Sequence, residues 1–284
     1  MKDTAILLLS CADQKGLVAG ISDFVFRHNG NILHADEHAD SESDKFLMRV
    51  EFDPSGFDIS LNDFAQHFSP VAQKFGMDWR LARSNYRQRM VIFVSRYDHC
   101  LVDLLYRHKS GELTCEIPLI ISNHPDNQPV ADFYHIPYAT VRIEKESKVQ
   151  DEHKILVLLK QVRPDFLVLA RFMQILSSEF VQQHQHRIIN IHHSFLPAFV
   201  GAKPYHQAFT RGVKLIGATS HYVTEVLDDG PIIEQDVVRI SHRDTLDDLL
   251  QKGRDLEKVV LSRAVRWQLE NRILLYGNKT VVFA

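Results

Sequence analysis

Apolar positions along this chain alternate between strand-length runs and helical spacing. Residues 4–11 (TAILLLSC) form one such run, and after Asp13-Gln14-Lys15-Gly16 the residues Leu17, Ile21, Phe24 and Val25 recur at helical spacing up to His28-Asn29-Gly30. A strand beginning at Asn31, a polar turn over 40–44 and a strand over 45–52 follow. A helix carrying Phe64, Phe68, Val71 and Phe75 and a short strand over 78–81 complete the set. Strand, helix, strand, strand, helix, strand is the ferredoxin-like order. Residues 84–89 are polar and read as a short linker. Beyond them strands are predicted at 90–94, 116–122, 133–136, 166–169 and 188–191. Helices carry Leu101, Leu104 and Leu105, then Ile155 to Leu159 ending before Pro164, then residues 179–183. Apolar runs at 215–223 and 232–238 flank the turn Leu227-Asp228-Asp229-Gly230-Pro231, and 245–276 reads as one long helix or a broken pair. The pattern predicts an α/β protein with a ferredoxin-like unit over 1–83 and a second unit over 90–284 built on a mostly parallel, Rossmann-like sheet.

Composition narrows the function classes. A formal net charge of −3 offers no global attraction for nucleic acid or an anionic membrane. The start shows no signal-peptide layout, and no apolar run reaches transmembrane length. Cys11, Cys100 and Cys115 are scattered and odd in number, which fits a reducing compartment and a cytoplasmic location. No G-x-G-x-x-G or G-x-x-x-x-G-K-[ST] is present, so neither phosphate-cradling glycine motif is available for a nucleotide cofactor. Sixteen histidines include none in H-E-x-x-H spacing, and paired C-x-x-C is absent, so no metal is expected. Arg254, Lys258, Arg263 and Arg266 alternate with acids and read as a solvated helix face.

The candidate chemistry gathers where the strand at 188–191 ends. Asn190, His192, His193 and Ser194 stand there, followed by Leu196-Pro197 and a turn at Gly201. Ligands of open α/β sheets sit at the carboxyl ends of strands. Asp228, 36 positions after His192, joins them if the intervening strands share the sheet. An amide, an imidazole and a carboxylate make a set suited to acyl transfer or hydrolysis.

Two resemblances sharpen this reading. Asp13-Gln14-Lys15-Gly16-Leu17-Val18 with Gly30-Asn31-Ile32 resembles an ACT domain, a regulatory module that often binds amino acids where the first strand meets the first helix. The resemblance implies an effector site near Asp13, Gly16 and Asn31, with methionine or glycine as first guesses, and a homodimer or homotetramer. At residue level Gly16 and Gly30 serve equally well to open and close a helix. Asn190-Ile191-His192, Ser194-Phe195-Leu196-Pro197 and Leu227-Asp228 with Gly230-Pro231 resemble the signature of the folate-dependent formyltransferase family, which includes glycinamide ribonucleotide transformylase and methionyl-tRNA formyltransferase. With the ACT-like part in front and Asn190-Ile191-His192-His193-Ser194 in place, the chain is similar to the branch of that family that hydrolyses 10-formyltetrahydrofolate to formate and tetrahydrofolate. That reaction supplies formate for purine biosynthesis and balances one-carbon pools.

The family resemblance assigns roles. Asn190 and His192 would stabilise the oxyanion, each such donor being worth about 10²–10³ in rate. Asp228 would position and activate water and hold His192 in its donating form, a contribution of about 10²–10⁴; Asp229 competes only by adjacency. Met173, Gln174 and Leu176 match a pteridine-binding segment, Thr224 and Val226 belong to the folate loop, and Ser194 has a supporting place. His221 either orients the catalytic residues or is a hydrogen-bonded core group. The folate is substrate and product, so no separate cofactor is implied. In the family's transformylases a glycine- and serine-rich loop after the first strand of this domain holds the acceptor's phosphate. Here Arg96, Tyr97, Asp98 and His99 occupy that place, which favours water over an amine; transfer to a small amine such as glycinamide ribonucleotide is the alternative.

Overall fold

The structure is a computed structural model that describes residues 3–198 and 204–284. The chain runs β1 (Ala5–Ala12), α1 (Leu17–Arg27), β2 (Asn31–Asp40), β3 (Lys45–Asp53), α2 (Phe64–Phe75), β4 (Asp78–Arg83), β5 (Arg89–Val94), α3 (His99–Ser110), β6 (Glu116–Ser122), α4 (Gln128–Phe133) and β7 (Tyr138–Thr140). It continues with α5 (Lys148–Val162), β8 (Phe166–Ala170), α6 (Ser178–Gln183), β9 (Ile188–His192), α7 (Pro204–Arg211), β10 (Leu215–Tyr222), β11 (Ile232–Arg239), α8 (Leu246–Leu269), β12 (Ile273–Tyr276) and β13 (Lys279–Val282). The turn expected at Gly201 lies outside the described residues.

The chain forms two compact units, residues 1–87 with 270–284, and residues 88–269. In the first, an antiparallel sheet in the order β2-β3-β1-β4 carries α1 and α2 on one face. Alternation along β1 sends Ala5, Leu7 and Leu9 toward the helices, where Phe24, Phe52, Phe64 and Phe68 form an aromatic core. Ile6, Leu8 and Leu47 face the other way and are also buried, because the β12–β13 hairpin belongs to this unit and β12 packs against β1. On that face Arg49 donates from Nη2 to Glu51 and from Nε to the Asn271 carbonyl.

This corrects two expectations. Helix α8 stops at Leu269 and does not extend to residue 276, and residues 270–284 group with the first unit and not with the second. Asn271 (φ 52) breaks the helix, and Gly277-Asn278 closes a hairpin with Tyr276 facing Lys279, Gly277 supplying the positive φ a tight hairpin requires. The stretch 84–89 is tethered where it was expected to be a plain linker. Ser84 exchanges hydrogen bonds with the Thr4 backbone, and Gln88 donates to the Gln268 and Leu269 carbonyls.

The second unit is a seven-stranded sheet in the order β11-β10-β9-β8-β5-β6-β7. Strands β5 to β9 run parallel, while β10 and β11 are antiparallel. Strands β5, β8 and β9 are apolar save Arg89 at the start of β5 and Asn190 and His192 in β9, as a strand covered on both faces demands. The edge strand lies at 138–140, and the residues expected as strand at 133–136 end α4 and turn at His135 (φ 57); Pro129 in the first turn favours helix there. From β5 the chain builds outward through β6 and β7, then returns to place β8 on the other side of β5. That reversal opens a crevice at the carboxyl ends of β5 and β8, the position where such sheets bind ligands.

Candidate active site

Antiparallel pairing of β9 with β10 sets Asn190 opposite His221 and His192 opposite Thr219. Asn190 and His192, two residues apart, share a face of the sheet. The register of β10 against β11 shifts between Ser220 and His221, a bulge of the kind that re-aims side chains beside functional sites. The loop after β10 brings Asp228 back over this face in a left-handed conformation (φ 56). A Cβ at Gly230 would lie 1.8 Å from the Tyr222 carbonyl oxygen, so only glycine lets the loop fold this tightly.

The three expected residues converge. His192 Nδ1 lies 3.3 Å from Asp228 Oδ2, and Asn190 Nδ2 donates to His221 Nε2 at 3.2 Å. His221 Nδ1 faces the Tyr222 carbonyl at 2.9 Å and must carry the proton, so Nε2 is the acceptor for Asn190. Burial pushes the His221 pKa down and keeps the ring neutral, so its 3.8 Å approach to Asp228 is not an ion pair. Of the two roles left open by sequence, the structure shows His221 as a buried, hydrogen-bonded group, with Asn190 among its partners. Asp228 is held below the usual carboxylate range, first by the His192 hydrogen bond, against the opposing effect of burial. A carboxylate can only accept, so Nδ1 is the protonated nitrogen of His192. Its Nε2 is buried with no hydrogen-bond partner among the described residues, and it donates to a ligand only when the ring is imidazolium.

These groups line a cavity of about 610 Å³. Its apolar wall comes from Leu169, Phe172, Ile175, Leu176, Val181 and Val223. The segment after β8 is fixed at both ends, since the Met173 N–H donates to Ser95 Oγ and the Ser177 N–H to Glu152. Met173, Gln174, Leu176 and Thr224 all line the cavity, and the Met173 N–H is already engaged. Val226 does not line it; its side chain is exposed and its carbonyl accepts from the Thr224 hydroxyl. Ser194 is buried outside the lining, donating to the Ala198 carbonyl and accepting at its own carbonyl from Thr219. Nor do Asp13, Gly16 and Asn31 meet within one chain. Asp13 and Gly16 follow the carboxyl end of β1, whereas Asn31 opens β2 beside Asp53, at the far end of the sheet roughly 30 Å away for a ten-residue strand.

Sequence reading missed a second cluster on the same cavity. Glu257 is 1% exposed, accepting from His99 Nε2 and Tyr205 Oη, each at 2.8 Å, with Arg171 Nε at 3.4 Å. Burial alone would raise the Glu257 pKa; the His99 bond and the Arg171 charge outweigh it and keep the carboxylate ionised. Burial, then Glu257, pushes the Tyr205 hydroxyl up. Arg254 also lines the cavity rather than a purely solvated face, its guanidinium 5.7 Å from the Tyr97 ring centre. The signal was present in α8, where Gly253 and Glu257 interrupt the buried stripe Leu249, Val260, Leu261, Ala264; a Cβ at Gly253 would collide with the Tyr205 ring. His99, Cys100 and Glu257 approach metal-ligand spacing, but the donor set does not fit a cation. Arg171 already neutralises Glu257, and burial holds Cys100 protonated.

Comparison with known proteins agrees with this architecture. A family model described as "Formyl transferase" matches residues 88–265. The chain is 55% identical over 281 residues to formyltetrahydrofolate deformylase of Synechocystis sp., covering 99% of both, and 47% identical to that of Bacillus subtilis, covering 99% of this chain and 94% of the relative. The crystal structure of a formyltetrahydrofolate deformylase from Pseudomonas syringae pv. tomato superposes with a TM-score of 0.98 at 48% identity, covering 100% of this chain and 95% of that one. This chain therefore belongs to the formyltetrahydrofolate deformylase family, built on a formyl transferase domain.

Proposed function

We propose that the chain hydrolyses 10-formyltetrahydrofolate to formate and tetrahydrofolate. The observation that carries this reading is the convergence of Asn190, His192 and Asp228 at one cavity, with His192 Nε2 buried and unpartnered among the described residues. Water adds to the formyl carbon and the carbonyl electron pair moves onto oxygen. One Asn190 N–H is spent on His221 Nε2, and the other donates to the oxyanion, with the unpartnered Nε2 of His192 on the same cavity. Asp228 orients the water and takes its proton, the carboxylate being ionised across the working pH range. Collapse breaks the C–N10 bond, N10 takes up the proton from Asp228, and the formic acid so formed gives its hydroxyl proton to the freed Asp228 carboxylate or to solvent and leaves as formate.

Water is the acceptor because the place expected to hold an acceptor's phosphate is built from side chains. Tyr97 and His99 stand there, packed into the Arg171–Glu257–Tyr205 cluster. The first unit is read as an ACT-like regulator that binds an amino-acid effector. Asp13 and Gly16 would meet Asn31 only across two chains, which fits a homodimer or homotetramer. Formate supply for purine biosynthesis follows from the same reaction.

The test is turnover in ¹⁸O-water with no amine present. Formate carrying one ¹⁸O atom and equimolar tetrahydrofolate are expected. Turnover that waits for an added amine, yielding a formylated amine and no formate, would overturn hydrolysis in favour of transfer.

A further inference from the structure

Arg171, directly after β8, has a left-handed backbone (φ 62) and a side chain only 10% exposed on the cavity wall. Its Nε and Nη1 are buried without a hydrogen-bond acceptor among the described residues. Glu257 Oε2, 3.4 Å from Nε, pairs with it electrostatically without a formed hydrogen bond, and its two oxygens also accept from His99 and Tyr205. A second guanidinium, Arg254, lines the same cavity, and both lie within 6 Å of the Tyr97 ring, at 5.4 Å and 5.7 Å from its centre. Around the Tyr97 ring the two guanidinium charges stand with one carboxylate, Glu257, while Glu225 and Asp228 line the cavity as well. Neutral His193 joins this wall to the reacting end, its ring centre 5.3 Å from that of His192 and 5.9 Å from that of Tyr205. A buried guanidinium without an acceptor is costly, and its flat fork matches a planar, two-oxygen anion.

We propose that Arg171, backed by Arg254, forms a small-carboxylate subsite that receives the formate ion released by hydrolysis. The inference rests on the deformylase reading above. The formyl group of the substrate is neutral and has no need of this charge. Once the C–N10 bond breaks and the formic acid formed loses its hydroxyl proton, a full negative charge appears near Asp228, whose carboxylate repels it, while the Arg171 fork attracts it. The subsite therefore acts after the bond breaks, drawing product away from the water-activating carboxylate.

The experiment is titration of the folate-free protein with ¹³C-formate, followed by NMR line broadening, with acetate and inorganic phosphate as competitors. Formate is expected to bind saturably, with acetate and phosphate weaker. Loss of a charged hydrogen bond should weaken formate by about tenfold or more in Arg171→Gln. Arg254→Gln, at an exposed position, should weaken it by roughly two- to fivefold, as expected for a screened charge. The formate product-inhibition constant should rise in parallel during turnover. If Arg171→Gln fails to fold by circular dichroism, Arg171→Lys and Arg254→Gln decide, lysine keeping the charge but losing the fork. Unchanged formate affinity in the folded variants, or phosphate displacing formate at lower concentration, would sink the carboxylate subsite. Because binding is read without turnover, a protein that binds formate but never releases it from the folate would overturn the reaction assigned above and leave the anion subsite intact.

Discussion

Asn190 illustrates how far one side chain can be committed. One amide hydrogen donates to His221 Nε2, and in the proposed reaction the other serves the oxyanion. Asn190→Ala should lower kcat by about 10²–10³ with little change in KM, measured by formate release. His193 is the residue whose titration should register most clearly in stability. Burial, then the Arg171 charge, lowers its pKa from 6.5 to about 4. Between those values the unfolded chain binds a proton that the folded chain refuses, so stability falls as pH drops through this window and levels off below it. The full shift corresponds to on the order of 3 kcal/mol, most of it lost by pH 4.5. Urea denaturation at pH 7.5 and pH 4.5 should show that loss in the wild type and a smaller one in His193→Gln; equal losses would contradict the assignment. These residue-scale properties were only half legible. Asn190, His192 and Asp228 are found from residue type and order, but the proton placement on His221 depends on the Tyr222 carbonyl, which no spacing discloses.

Among the elements, the β10–β11 segment carries the geometry. Its bulge, the left-handed Asp228 and the absence of a side chain at Gly230 act together to return a carboxylate to a strand two positions away in the sheet from β11. Gly230→Ala should cost at least tenfold in activity, since a Cβ within 2 Å of backbone oxygen cannot be accommodated without moving the loop. Circular dichroism should show the sheet retained; an unaffected rate would contradict the role given to this turn. The segment after β8 is held from outside by Ser95 and Glu152. Ser95→Ala removes the acceptor for the Met173 N–H and should raise KM several-fold while sparing kcat, a loss of about 1–3 kcal/mol from an unsatisfied donor. Strands and helices were legible here because strict apolar runs and helical spacing leave little choice. The tethers were not, because Ser95 and Met173 lie 78 positions apart and carry no local pattern.

At the scale of the whole molecule, the sequence order suggests a simple series of two parts, and the fold departs from it at the end. Residues 270–284 return to the first unit, where β12 and β13 cover the sheet face opposite the helices. An apolar run of four residues is too short to distinguish a helix extension from a strand, and Gly277-Asn278 was the cue that decided it. Deleting 270–284 should uncover Ile6, Leu8 and Leu47 and strip the Asn271 carbonyl from Arg49. Thermal unfolding should then begin at lower temperature; an unchanged transition would contradict the packing described. No helix among the described residues is long and apolar enough to cross a membrane.

Single-turnover formate release by wild type and Asp228→Asn tests most directly whether the Asp228 carboxylate activates water, as proposed. Asparagine keeps the shape but cannot take a proton. The account predicts formate from the wild type and a rate lower by about 10²–10⁴ in the variant, with folate binding retained. Formate release at the wild-type rate from Asp228→Asn would contradict it.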